Sequence, residues 1–413
     1  MPSIKAAIDK ILVPRTSMLL FSFLVVSMPF IMLQNYLQLT LRNTAGQIID
    51  IFGIGIPLVL LIVIPPLLAL LFVNIKKITR FRLLTLLFVI AMLFVGQSVS
   101  DFYVNFKFYD LQNNWHYLAY CFFTVISYRY LSTKDVPIHR IIIITFLRGL
   151  AISLFDEGVQ VFISNRVFDL SDVAKDMWGL WLGNILIFFF IGQGEVIKQF
   201  KIRQKKLKDY IKSPYSLIAL QGLFTFEFLF FSANLTNSIY WLQLTVIVLS
   251  AALITFFCIH LSQRKLFFRA FIIFFAALAI ALGTSFVINK DKGLMSIGNN
   301  FIVYKGIPLP YFDVLITSDG FFRFVDKKSE LKKGDLSKLN DFYPDIILFA
   351  LTNKPYVPNQ LASVNPMKNT YFLYNHLNGS GIQVVVRNYK DAIDEYNRIR
   401  MEKNAIIVIH NGN

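Results

Sequence analysis

From Met18 to about Ile288 the chain consists of apolar stretches, each on the order of 20 residues long, separated by short polar loops. A hydrocarbon core of about 30 Å is crossed by about 20 residues of helix, so this recurrence predicts a polytopic membrane protein. Composition agrees. Of 413 residues 55% are hydrophobic, 42 are Phe and only 16% are charged, where a soluble domain carries about 25% charged residues. Past Asn289 the long runs stop and shorter, turn-bounded segments begin.

The runs predict about nine spans, at roughly 17–35, 48–75, 81–99, 115–132, 139–163, 174–197, 214–233, 238–260 and 267–289. Ahead of them, in residues 1–16, Ile4, Ala7, Ile8, Ile11 and Leu12 recur at helical spacing beside Lys5 and Lys10, which suits an interfacial segment. The first run lacks a small-residue cleavage pattern at its end, so it is expected to persist as a span. Pro65-Pro66 predicts a kink or tilt in the second run, where each proline removes a backbone donor. No internal repeat is evident, which weakens an inverted-repeat transporter fold.

The net charge of +16 is divided unevenly. From Lys290 onward sixteen Lys and Arg face twelve Asp and Glu, a balance of +4 that leaves +12 for the apolar part. There the basic residues gather in alternate loops: Lys5, Lys10 and Arg15; Lys76, Lys77, Arg80 and Arg82; Arg129, Lys134 and Arg140; the run Lys198 to Lys212; and Arg264, Lys265 and Arg269. By the positive-inside rule these loops and the N-terminus are cytoplasmic. An odd number of spans then puts the segment after Lys290 on the outer face. Neither part has a dense basic face interleaved with aromatics, so nucleic acid is not an expected partner. Cys121 and Cys258 both lie in apolar runs and imply neither a disulfide framework nor a zinc site.

Acids are scarce except in one stretch. Between Leu154 and Gly183 fall Asp156, Glu157, Asp169, Asp172 and Asp176, with Gln160 and Arg166 among them. A membrane protein gathers polar groups in this way where something is bound, held or moved, because each is costly near lipid. Glu157 and Gln160 are three residues apart and share a helix face, as do Asp169, Asp172 and Asp176. His116 begins a span on the same side of the membrane, so two polar helix ends are expected to close on one pocket. In the sequence DLSD, Asp169 also has the placing of a helix N-cap and Asp172 that of an acid in the first turn. One histidine among scattered carboxylates matches no dedicated metal motif, and no nucleophile elbow or phosphate-cradling loop accompanies them, so neither a metal nor a cofactor is expected and no catalytic residue is assigned. Two more charges, Arg148 and Glu227, lie mid-span at similar depths and are expected to pair.

NWHYLAY from Asn114 and DEGVQVFISNRVFDLSDVAKDMWGLWLG from Asp156 resemble the VanZ family of bacterial membrane proteins over about residues 81–190. That pattern has a histidine helix, E-x-x-Q, an Arg, an Asp and spaced glycines; His116, Glu157, Gln160, Arg166, Asp172, Gly179 and Gly183 fall on it. The chain departs from it at Gln112 and Asn113, where the family has Asp-Lys, and at Asp176, where it has Asn. The resemblance implies a multi-pass protein of the bacterial cytoplasmic membrane with a role in the cell envelope, some members being linked to teicoplanin resistance.

The tail, residues 290–413, predicts a small soluble α/β domain. Val314 to Val325 reads as a hairpin turned at Asp319-Gly320, Pro344 to Leu351 as a buried strand, Pro366 to Leu377 as a helix, and IQVVV as a strand. A helix over Tyr389 to Met401 and a strand from Ala405 to His410 complete a layer with a parallel core. From Lys305 to Ile409 the tail resembles a small α/β family that includes a mitochondrial complex I assembly factor, most visibly at Ala392, Tyr396 and Asn397. Packing and capping account for those residues without a ligand.

The chain is therefore expected to be an α-helical polytopic membrane bundle over residues 17–289 with a VanZ-like core, followed by a soluble α/β domain. Its expected role is binding or sensing a lipid-linked or anionic envelope ligand at His116, Glu157, Gln160, Arg166, Asp172 and Asp176. Alternatives are an enzyme modifying a lipid or headgroup and a transporter using Arg148 and Glu227.

Overall fold

A computed structural model describes residues 14–32, 47–51, 54–58, 61, 65, 78–100, 111–162, 168–192, 202–234, 241–296, 301–310, 314–318, 320, 322–324, 344–351, 362–365, 370–375 and 380–409. The interfacial segment before Pro14, Pro66 with the segment in which the kink is expected, and Arg166 lie outside them. The chain divides into two compact units, one holding most of residues 1–260 and the other Leu261–Asn413 with two short segments.

In the first unit the helices are α1 (Pro14–Met32), α2 (Arg80–Ser100), α3 (Leu111–Ser132), α4 (Ile138–Gln160), α5 (Leu170–Ile185, continued as π-helix to Ile191), the short α6 (Leu207–Lys212), α7 (Pro214–Asn234) and α8 (Trp241–Leu261). The second unit opens with α9 (Lys265–Asn289). Six helices among the described residues are long and apolar enough to cross a membrane: α2, α4, α5 with its π-helical turn, α7, α8 and α9. They fall where six of the nine runs predicted spans. The expected count of nine is not reached. Residues near 17–35 and 115–132 do form helices, α1 and α3, of 19 and 22 residues. The run at 48–75 instead opens with an antiparallel hairpin, β1 (Ile48–Ile51) and β2 (Ile54–Pro57). Isoleucines at 48, 49, 51, 54 and 56, interrupted by Asp50, Gly53 and Gly55, favour a pleated pair over a helix turn.

The centre of this unit is α5. Val173, Ala174, Met177, Leu180 and Leu182 are all fully buried, and its closest neighbour is α3. Gly179 and Gly183, one turn apart, allow that approach: a Cβ at Gly179 would lie 2.7 Å from the Tyr117 carbonyl oxygen, and one at Gly183 2.8 Å from that of Cys121. This is the small-x-x-x-small geometry by which helices in lipid gain packing without a hydrophobic drive. Thr124 adds a hydrogen bond from its hydroxyl to the Leu180 carbonyl, 3.2 Å.

Two tryptophans of α5 repeat one device on two neighbours. Trp178 Nε1 donates to the Met92 carbonyl of α2, and Trp181 Nε1 to the Ile218 carbonyl of α7, both at 3.0 Å. Each accepting carbonyl lies four residues before a glycine, Gly96 or Gly222, over which the indole passes; a Cβ there would come within 2.6 and 2.7 Å of the respective ring. The missing side chain gives the indole room to reach a helix carbonyl. Gly222→Ala is accordingly expected to displace the Trp181 ring, weaken its hydrogen bond and cost about 1–3 kcal/mol, read as a lower melting temperature and a shifted tryptophan emission.

Helix α6 and the described part of the basic run carry exposed Lys205, Lys206, Lys208 and Lys212, while Tyr210 is buried against Phe256 and His260 of α8.

The second unit combines α9 with two sheets. A meander of β3 (Leu294–Ser296), β4 (Phe301–Tyr304) and β5 (Ile307–Pro310) follows the helix directly. Ser285 of α9 donates to the Gly306 carbonyl in the β4–β5 turn, 2.6 Å. The larger sheet runs β7-β6-β12-β8-β11-β10-β9, with β6 (Val314–Ile316), β7 (Phe322–Phe324), β8 (Ile346–Leu351), β9 (Ala362–Asn365), β10 (Thr370–Asn375), β11 (Ser380–Asn388) and β12 (Ala405–Ile409). Its centre, β12-β8-β11, is parallel as expected, and both flanks are antiparallel. The β6–β7 hairpin is present, with Gly320 at φ +86°. The helix expected at Pro366 to Leu377 is instead strand β10, in which Tyr371, Phe372 and Tyr374 favour a sheet.

The last helix, α10 (Tyr389–Ile399), is capped by Asn388, whose side chain accepts from the Asp391 amide. Tyr396 donates its hydroxyl to the Thr317 carbonyl at 2.8 Å, and Asn397 holds both the amide and the carbonyl of Leu294, tying α10 to β3. Both residues are structural. Burial pushes the Tyr389 hydroxyl up to about 12, and it makes no hydrogen bond among the described residues. Tyr389→Phe is expected to stabilise the protein by about 1 kcal/mol at neutral pH. The gain grows as pH rises from 10 to about 12, because the unfolded tyrosine loses its proton first. Denaturant unfolding at pH 7 and pH 11 measures both parts.

Candidate functional site

The polar end of the bundle is built by the start of α3, the end of α4 and the start of α5, which run antiparallel in turn. Asp169 caps α5 by accepting from the Ser171 amide at 2.7 Å, as its place in DLSD predicted. The cap fixes the first turn, and Asp172 and Asp176 then project from one face toward α3 and α4.

Asp176 is the hub. It is fully buried, with one carboxylate oxygen 2.9 Å from His116 Nδ1 and the other accepting from the Ser153 hydroxyl at 2.6 Å. The second imidazole nitrogen of His116 lies 3.9 Å from Asp172. Asp172 also accepts from Lys175 at 2.7 Å, so that pair and the histidine form one connected set on α3 and α5. On α4, Glu157 accepts from the Gln160 side chain at 2.8 Å and from the Asp169 amide at 3.3 Å, which joins the end of α4 to the cap of α5. Nearby Tyr117 shares a 2.9 Å hydrogen bond with Ser100 at the end of α2. Glu157 is 1% exposed and Gln160 4% exposed, so these contacts sit in the bundle and not on its surface.

Five of the six residues expected at the site, His116, Glu157, Gln160, Asp172 and Asp176, are thus brought together by three helices. Arg166 lies outside the described residues. The sequence reading did not assign Ser153 or Lys175. Ser153 sits one turn before Asp156 and Glu157 on the buried face of α4, and Lys175 is three residues after Asp172, so helical spacing was the available signal in both cases.

The expected Arg148–Glu227 pair does not form. Arg148 is exposed, and its guanidinium meets the Met18 sulfur of α1 at 4.0 Å. Glu227 instead accepts from Thr255 of α8. The buried stripe of α4 runs through Thr145, Gly149, Ser153 and Asp156, and Arg148 is off it. Similar depth along two spans does not decide which way each side chain turns about its helix axis.

Five carboxylates meet here: Asp156, Glu157, Asp169, Asp172 and Asp176. The described cations beside them are Lys175 and His116. Among the described residues carboxylates thus outnumber cations, an imbalance that favours a proton or a cationic group over an anion. The chain matches no protein-family model, no curated protein and no solved structure.

Proposed function

We propose that the chain is a VanZ-like integral membrane protein of the bacterial cell envelope that binds or senses a lipid-linked envelope component at the outer end of its bundle. The observation that carries this reading is the convergence of His116, Glu157, Gln160, Asp172 and Asp176 from α3, α4 and α5. They sit at the helix ends opposite those next to Arg129, Arg140 and the Lys198 to Lys212 run, and the positive-inside rule makes the basic ends cytoplasmic. The surplus of carboxylates favours a lipid-linked ligand over a purely anionic one. A contribution to teicoplanin-type resistance would be one physiological outcome of such binding.

The test is lipid analysis of the purified protein. Envelope lipid retained by the native chain is expected to fall by about tenfold in His116→Ala, with the folded, monodisperse fractions of the two proteins compared at equal amount. Equal retention by both proteins overturns the reading. Orientation is tested by single cysteines near Asp172, Lys205 and Asn378 in a Cys-free background. Labelling from outside is expected at the first and third positions only; protection of the third would place the C-terminal domain inside.

A lipid-modifying enzyme is the second reading, favoured by the Asp176 carboxylate at 2.9 Å from His116 Nδ1, which would orient the imidazole as a proton-transfer group. Turnover lost in Glu157→Gln with binding kept would support it. Transport has less support now that Arg148 and Glu227 are separate.

A further inference from the structure

The geometry points to a ligand with an ammonium group, seated between α3 and α4 against Asp156 and Tyr120. This inference rests on the binding role proposed above and names its chemical class.

Two groups at the site are left over by the hydrogen-bond network. Asp156 is 4% exposed; one carboxylate oxygen takes only a long 3.5 Å contact from Gln160, and the other has no partner among the described residues. Tyr120, on α3, is 2% exposed, and its hydroxyl lies beside Ser153 and Asp176 without the geometry of a full hydrogen bond to either or to any other described residue. A buried oxygen with no donor carries a desolvation penalty that a bound donor removes. An ammonium has three N–H donors and a full positive charge, and so answers both the unfilled acceptors and the surplus of carboxylates.

Other ligand classes fit less well. An anion would meet five carboxylates. A divalent cation needs several oxygens converging at about 2.0–2.6 Å, and among the described residues no three His, Cys, Asp or Glu side chains are so arranged. The site also adjoins an apolar collar at the end of α4, where Phe155, Val161 and Phe162 are 61%, 51% and 89% exposed. A charged amine on an acyl-bearing molecule would place its head at Asp156 and its chains along this collar. The shared chemistry is a primary amine, from a lipid headgroup or from a free solute.

The experiment uses the full chain, purified and presented with phosphatidylethanolamine and phosphatidylglycerol of identical acyl chains, with bound lipid read by native mass spectrometry. Phosphatidylethanolamine is expected to be retained over phosphatidylglycerol by about tenfold, and this preference to fall below about threefold in Asp156→Asn and in Tyr120→Phe. Both variants keep side-chain volume, and melting temperature checks that each is folded. Displacement of the lipid by millimolar ethanolamine assigns recognition to the amine alone, which a solute could supply; retention against ethanolamine assigns it to the lipid. Equal retention of the two lipids, or a preference that survives both variants, overturns the ammonium inference while leaving the binding role intact. Absence of binding by either lipid and by ethanolamine also overturns it. The binding role fails separately, when His116→Ala retains as much envelope lipid as the native chain.

Discussion

Replacing Gly179 with leucine is expected to disable the bundle by forcing α3 and α5 apart. The β-carbon would enter at 2.7 Å from the Tyr117 carbonyl oxygen and 3.1 Å from the Tyr117 Cα, both backbone atoms that cannot rotate away. The side chain beyond it has no space, so α3 and α5 must separate along the contact from Gly179 to Gly183. Overpacking of a close core contact costs about 1–3 kcal/mol and sometimes more, and here it also removes the Thr124 bond to Leu180 and shifts His116 relative to Asp176. The variant should lose most folded yield and all lipid retention. Gly179→Ala, with one carbon instead of four, should keep partial yield. A Leu variant with native melting temperature would show that α3 and α5 are not held at this distance.

The second large effect is expected at Lys175. Its ammonium lies 2.7 Å from Asp172, and the two side chains are 11% and 18% exposed. Lys175→Met keeps the length and removes the charge, taking from Asp172 the ammonium it now accepts from. Breaking a buried pair by deleting one partner costs about 3–5 kcal/mol. The double variant Lys175→Met with Asp172→Leu removes both charges and should recover a large part of that loss, because an apolar pair of similar volume is tolerated. Thermal unfolding of the native, single and double variants closes the comparison. A single variant as stable as the native chain would mean that the pair is solvated.

These two expectations rest on features of unequal visibility in the sequence. The membrane character was plain, because about 20 apolar residues in succession have few other folds open to them. The site was largely plain for the opposite reason: acids are so rare in this part of the chain that their grouping between Leu154 and Gly183 stood out. Ser153 and Lys175 did not stand out, since a serine in an apolar run and a lysine between two aspartates are ordinary until a helix is drawn through them. The Trp–Gly crossings were hidden because each needs two helices, and the glycine carries no sign of which indole passes over it. Strand β10 is hard to tell from a helix in the sequence because a short apolar run has no periodicity to separate the two, and only its β-forming aromatics point to the sheet. Arg148 and Glu227 were paired by depth, when rotation about the helix axis decides what a side chain meets.

The central position of α5 carries a further consequence, for biogenesis. It is the least apolar and the most enclosed of the six spanning helices, and it brings Asp172, Lys175 and Asp176 into the membrane with it. Such a segment partitions poorly into lipid by itself, since each charged residue opposes entry. Its counterparts are made earlier: His116 on α3 and Ser153 on α4 both precede it in the chain. Co-translational insertion would then be ordered, with α3 and α4 waiting beside the insertion machinery until α5 emerges, so that α5 passes from the machinery into a protein groove without ever being exposed to bare lipid.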